Sequence, residues 1–248
     1  MQSVQTLLHE TGLPCSQPLG EPTPLSEAHL TFEELVDDGT VEDGRDPTIR
    51  RALAEALAWH LDIACRIDIP AGLEGGWRSW SDSGVWPKEA HSPIFDFVAT
   101  ARGAGWIDEI ARTARRSFSD SRPQVGHSDC GAKHVRFVDG RVRVVYDWDS
   151  LSAQAEEHLV GTAAATFTAN PELHEGAYVA PAPDEVRAFV EEYSNARCAP
   201  LTRDERRSVH AAATYIVAYS ARCEHSLGKR GNFTEALELH RDAYLSAT

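Results

Sequence analysis

The chain has 248 residues, 42% of them hydrophobic and 25% charged. That length supports a substantial core, and that composition excludes a disordered, collagen-like or coiled-coil chain. The 38 Asp and Glu residues against 24 Lys and Arg give a formal charge of −14, which argues against binding nucleic-acid backbones and suits a cationic ligand or plain solubility.

In chain order, residues 2–9 predict a short helix closed by Gly12 and Pro14. Pro14, Pro22 and Pro24 divide the next stretch into short extended pieces, His29 to Val36 predicts a strand, and Asp37-Asp38-Gly39 a turn. Asp46-Pro47 is a helix start, an acceptor side chain followed by proline at the first helical position. The helix should run to about Arg66, with Ile49, Leu53, Leu57, Leu61 and Ala64 as its apolar face. Residues 68–92, with Trp77, Trp80 and Trp86, predict a long loop whose tryptophans anchor packing. Ile94 to about Ala114 predicts a helix interrupted near Gly103 and Gly105.

A loop over Gly126–Lys133 then precedes two alternating runs, His134–Val138 and Arg141–Tyr146, joined by Asp139-Gly140. Such a two-residue link predicts a tight β-hairpin, because it supplies the positive φ angles of a type I′ turn. Helices are expected over Ser152–Ala169, apolar on one side, and from Asp184 to about Arg197. A third opens on the capping box of Thr202 and Glu205 and reaches about Leu227, and a last one spans Phe233 to Leu245.

The five cysteines, Cys15, Cys65, Cys130, Cys198 and Cys223, are far apart and form no CxxC pair, which suits a reduced, cytoplasmic protein. Met1 to Thr6 show no basic segment leading into an apolar core, so no secretory signal is expected, and no run reaches the roughly 18–20 apolar residues of a membrane span.

The hairpin carries the chemistry. His127-Ser128-Asp129 precedes it and Tyr146-Asp147-Trp148-Asp149 follows it, so a tight hairpin brings Asp129 and Asp147 together in space. Two carboxylates at one hairpin mouth can divide the work of phosphoryl transfer, one orienting or deprotonating an attacking hydroxyl and the other holding a divalent cation against phosphates.

The segment GHSDCGAKHVRFVDGRVRVVYDWDSL resembles the catalytic core of the aminoglycoside phosphotransferase and choline kinase superfamily. That pattern is His-Gly-Asp, four residues, Asn, a β-hairpin, then Ile-Asp-Trp-Glu/Asp, and the spacing agrees without a gap. The resemblance implies a protein-kinase-like α+β fold with a mostly helical C-terminal lobe. It implies Asp129 as catalytic base, His127 as the loop-ordering histidine, and Asp147 as the Mg2+ ligand at the cofactor site. His134 stands where the family has asparagine, a second metal ligand, and Ser128 where it has glycine. ATP or GTP would be the co-substrate, and the acceptor a small-molecule hydroxyl, cationic in the aminoglycoside case. No nucleic-acid or membrane partner is expected.

More weakly, DDGTVEDGRDPTIRRALAEALAWHL resembles the hinge and first large helix of the lower lobe, and SVQTLLHETGLPCSQPL the end of an upper lobe. This divides the chain into residues 1–42, a remnant of the N-terminal lobe with the hinge, and 43–248, the C-terminal lobe with its catalytic loop and hairpin at 125–151. Later acidic helices would face the substrate, with Glu191, Glu192 and Glu224 as candidates for holding amino groups; the plainer reading of each is a solvated helix face. The family's upper lobe begins with a glycine-rich loop and a phosphate-gripping lysine, whereas no such loop precedes Leu7 and the first lysine is Lys88. The resemblance therefore implies a shortened N-terminal lobe, completed by a partner or a second copy, or else a degenerate kinase kept as a binding or scaffolding module. A third reading, from residue types alone, is a zinc hydrolase built on His127, Asp129, Cys130 and His134.

Overall fold

In the computed structural model, residues 2–26, 28–73, 84–87, 90–119, 121–170, 172–173 and 179–247 are described. Trp77, Trp80, Lys88 and His174 lie outside them. Among the described residues, seven helices and three two-stranded antiparallel sheets make an α+β architecture.

Helix α1 (Gln2–Glu10) ends where Gly12 takes a φ of 86°. The strand expected over His29–Val36 is shorter. Thr23–Leu25 (β1) pairs with Ala28–Leu30 (β2), and beyond it only an isolated bridge joins Pro18 to Glu33. Proline at 18, 22 and 24 removes the N–H groups that a longer ladder would need.

Helix α2 (Pro47–Ala64) starts as expected, with the Asp46 carboxylate accepting from the Thr48 N–H at 2.7 Å. All five residues of its expected apolar face are buried. Between 94 and 104 the chain forms turns rather than helix. The Asp96 carboxylate accepts from the N–H groups of Val98 and Ala99, competing with helical bonding, and Gly103 takes a φ of 82°. Only α3 (Gly105–Arg115) is helical there.

The hairpin forms as predicted. Val135–Val138 (β4) pairs with Arg141–Val145 (β5), and Asp139 and Gly140 both have positive φ, 51° and 70°. The register shifts between Arg136 and Phe137. At that irregularity Phe137 turns its N–H and C=O to Thr40, at 2.9 Å each, so the segment before α2 runs along the outer edge of the hairpin. On the other edge the Val145 N–H donates to the Pro14 carbonyl at 2.7 Å.

A third difference lies at 152–154. These residues are not helical but belong to β6 (Leu151–Gln154), antiparallel to β3 (Gln124–His127), with His127 opposite Leu151. Local propensity favoured helix, and tertiary pairing decided otherwise. Gly126 permits it, since a Cβ there would lie 2.3 Å from a Leu159 methyl. Helix α4 (Glu156–Thr166) is buried from Glu157 to Ala165 on all sides, not on one.

Helices α5 (Pro183–Ala196), α6 (Arg203–Ser226) and α7 (Asn232–Ser246) follow as predicted to within two residues. Helix α6 is central, with α3, α4, α5 and α7 packed around it. Ala211, Ala212 and Ala213 let α4 approach closely, so that a Cβ on Gly161 would lie 2.5 Å from the Ala212 methyl. Among the described residues no helix is long and apolar enough to cross a membrane.

Candidate active site

Pairing of β3 with β6 closes the neck of the hairpin. Just beyond it, the Ser128 N–H and hydroxyl both donate to the Ser150 carbonyl, at 2.9 and 2.7 Å. The loops that carry Asp129 and Asp147 therefore leave the neck side by side. Into the space between them the short 3-10 turn Ala132–His134 delivers an imidazole. His134 Nε2 lies 3.2 Å from Asp129 Oδ2 and 3.4 Å from Asp147 Oδ2. One donor atom from each of the three residues falls within 4.8 Å of the others. The His134 seat is fixed by its own main chain, whose N–H donates to the Gly131 carbonyl and whose C=O accepts from the Tyr146 N–H at 2.8 Å.

His127 is buried beneath this group, and both its ring nitrogens are occupied. Nδ1 faces the Asp129 N–H at 3.1 Å and Nε2 faces the Tyr146 carbonyl at 2.9 Å. Because the amide can only donate, Nδ1 must accept and Nε2 must carry the proton, which fixes a neutral tautomer. Burial pushes its pKa below the ordinary histidine value, in keeping with that state. The ring thus ties the start of the Asp129 loop to the residue before Asp147. The buried Trp148 meets it edge-on at 5.3 Å and meets His60 at 5.4 Å.

Burial would raise the pKa of Asp129, but the hydrogen bond from His134 and the charge of Lys133 outweigh it and hold the carboxyl below the usual carboxylate range. Lys133 Nζ lies 2.7 Å from Asp129 Oδ2. Asp147 sits in the left-handed region, φ 69°, and its Oδ2 accepts from the Ser150 hydroxyl at 2.7 Å. Asp149 has its pKa raised, first by its hydrogen bond to Asp147 and then by burial.

All four site residues expected from sequence, His127, Asp129, His134 and Asp147, therefore meet at the hairpin mouth. Sequence reasoning missed Lys133 as a partner of Asp129. Its spacing of four residues was visible, but the 3-10 turn that folds it back was not. The zinc-hydrolase quartet does not assemble: His127 has no nitrogen left for a metal, and Cys130 is buried with its thiol pKa pushed up to about 12 by burial. Three further acidic candidates serve structure. Glu192 forms a two-point pair with Arg50 at 2.8 and 2.9 Å, Glu191 pairs with Arg206, and Glu224 accepts from the N–H groups of Phe233 and Thr234 at the start of α7.

No family model and no curated protein matches the sequence. Solved structures do match the fold. Amicoumacin kinase in complex with AMP-PNP, Ca2+ and Ami aligns over 100% of this chain and 76% of its own, with a TM-score of 0.63 at 10% identity. The microcompartment-associated aminopropanol kinase aligns over 99% and 82%, with a TM-score of 0.58 at 13% identity. A putative aminoglycoside phosphotransferase from Ralstonia eutropha aligns over 99% and 80%, with a TM-score of 0.51 at 13% identity. The chain has the protein-kinase-like fold that its hairpin segment resembled.

Proposed function

We propose that the chain is a phosphotransferase that moves the γ-phosphate of ATP or GTP to a hydroxyl of a small molecule. The observation that carries this reading is the convergence of Asp129, His134 and Asp147 at the mouth of one hairpin. Two carboxylates and an imidazole at that separation fit a divalent cation, Mg2+ in the simplest case, held by Asp147 and His134. Such an ion supplies charge neutralisation and alignment for the phosphates.

The remaining work falls to side chains of the chain itself. Asp129 accepts a hydrogen bond from the acceptor hydroxyl and orients it. Its lowered pKa makes it a weak base, which suits a loose transfer in which the proton leaves late. Lys133 keeps Asp129 ionised and places a positive charge beside the transferred group. His127, through its fixed tautomer, holds the two loops in register.

The net charge of −14 favours an acceptor carrying amines, such as an aminoglycoside or another natural product. The neighbours act on, or are named for, amicoumacin and aminopropanol, which supports that class. A second reading, a degenerate kinase retained as a binding module, is favoured by His134 at the asparagine position. Thermal shift with ATP, with and without Mg2+, followed by a phosphate-transfer assay over amine-bearing alcohols, tests both. The phosphotransferase reading expects a cation-linked shift that Asp147→Ala abolishes, together with transfer; absence of any shift would overturn it and leave the binding or scaffolding module.

A further inference from the structure

We propose that His134 makes this a site for a borderline first-row divalent ion, Mn2+ in preference to Mg2+, with Nε2 as a direct ligand beside Asp147 Oδ2. The inference rests on the phosphotransferase reading for the position of the cation and goes beyond it in the choice of ion.

Geometry comes first. Two neighbouring ligands at about 2.1–2.2 Å from one ion lie about 3.0–3.1 Å apart in an octahedral arrangement and about 3.4–3.6 Å apart in a tetrahedral one. His134 Nε2 stands 3.4 Å from Asp147 Oδ2 and 3.2 Å from Asp129 Oδ2, so little rearrangement is needed for an ion to take the space they face. Both main-chain polar groups of His134 are engaged, so the backbone that carries the ring is held in place. Asp147 is held from behind by the Ser150 hydroxyl at 2.7 Å, the kind of outer partner that orients a ligand. Lys133 already engages Asp129 Oδ2, which leaves His134 and Asp147 as the primary pair.

Chemistry then selects the ion. Mg2+ is hard, prefers oxygen and gives up water reluctantly, so a nitrogen ligand in a fixed place gains it little. Imidazole binds first-row transition ions better than it binds Mg2+, most tightly toward the later end of the series, and Mn2+ is the member that also takes carboxylate oxygens. The softest ions have no claim on the site, because among the described residues no cysteine joins the group of Asp129, His134 and Asp147. A site with one nitrogen beside two carboxylates matches an ion of Mn2+ type. When the ion takes Nε2, the hydrogen bond to Asp129 is given up and the proton of the neutral ring moves to Nδ1.

The test measures binding rather than turnover. Mn2+ is titrated into the full chain and followed by electron paramagnetic resonance, with Mg2+ as competitor. Electron spin-echo modulation then reports whether a histidine nitrogen contacts the bound ion. One Mn2+ per chain with nitrogen coupling is expected for the wild type. In His134→Asn the coupling should vanish, and the Mn2+ over Mg2+ affinity ratio should fall about tenfold or more. The wild-type spectrum decides the matter even if the variant folds poorly: bound Mn2+ without nitrogen coupling would overturn the proposal, as would an unchanged affinity ratio. ATP binding measured in parallel separates the two ideas. Nitrogen-coupled Mn2+ without any nucleotide binding would uphold the ion preference and end the phosphotransferase reading, while nucleotide-linked shifts equal in Mg2+ and Mn2+ and no coupling would do the reverse.

Discussion

Helix α6 and the strap from Gly20 to Glu42 sit at opposite extremes of the molecule. Fourteen residues of α6 are buried, and even the Arg222 guanidinium lies inside, over the Phe97 ring and bonded to Thr100 and the Phe97 carbonyl. Along the strap, Leu25, Leu30, Phe32 and Leu35 are all exposed, Leu35 by 79%. The helical side is held by interlocked side chains, while the strap is held by main-chain bonds such as the Thr40–Phe137 pair. Packing of the first kind resists change. Bonding of the second kind leaves the hairpin's outer edge tied at a few points and open between them. The difference teaches that changes should cost stability on one side and little on the other, with the site between them answering to charge.

The largest effect is expected at that seam. Asp129→Asn should lower phosphate transfer by about 10²–10⁴-fold while leaving ATP-linked thermal stabilisation in place; retained turnover would remove Asp129 from the reaction. Next, Gly161→Ala forces a methyl to within 2.5 Å of the Ala212 methyl and 2.7 Å of the Val209 carbonyl. Overpacking of that kind should lower stability by about 1–3 kcal/mol in urea unfolding. An unchanged midpoint would show that the α4–α6 contact yields more easily than the packing implies.

A third effect is expressed only in acid. Burial lowers the His60 pKa from 6.5 to about 3. Between those values the unfolded chain takes up a proton that the folded chain refuses, so stability falls as pH drops from about 6.5 towards 3 and then levels off. Buried His127 acts in the same direction, whereas Asp129, held low, contributes stability that is lost only below roughly pH 4. Unfolding measured from pH 7 to 4 should therefore slope downwards, and His60→Phe should flatten that slope; an equal slope in the variant would place the titration elsewhere. The smallest effect belongs to the strap. Leu35→Ser should change stability by no more than about 0.5 kcal/mol, and a larger loss would mean that the strap is covered in solution.

The same contrast explains what the sequence disclosed. Helices α2 and α6 were legible because their starts are written in local chemistry. Asp46 precedes proline, and the Thr202 N–H reaches the Glu205 carboxylate at 2.6 Å while the Glu205 N–H returns to the Thr202 hydroxyl. The hairpin was legible because Asp139-Gly140 admits few other backbones, and its short turn fixed the approach of Asp129 to Asp147. Strand β6 was hidden, because Leu-Ser-Ala-Gln favours no strand by itself and pairs only once β3 is beside it. Residues 94–104 misled for the opposite reason: the helical pattern was there, and the Asp96 side chain captured the amides that would have nucleated it. Lys133 and Asp149 were present in the motif but not assignable, since a 3-10 turn and a left-handed Asp147 place them.

Tyr146 deserves a last consequence. Its phenol accepts from the Val36 N–H at 3.1 Å and donates to the Val36 carbonyl at 2.8 Å, so one side chain imitates a neighbouring strand. Its main-chain carbonyl meets His127, its N–H meets His134, and the next residue is Asp147. One residue thus ties the strap at Val36 to three of the four groups at the hairpin mouth.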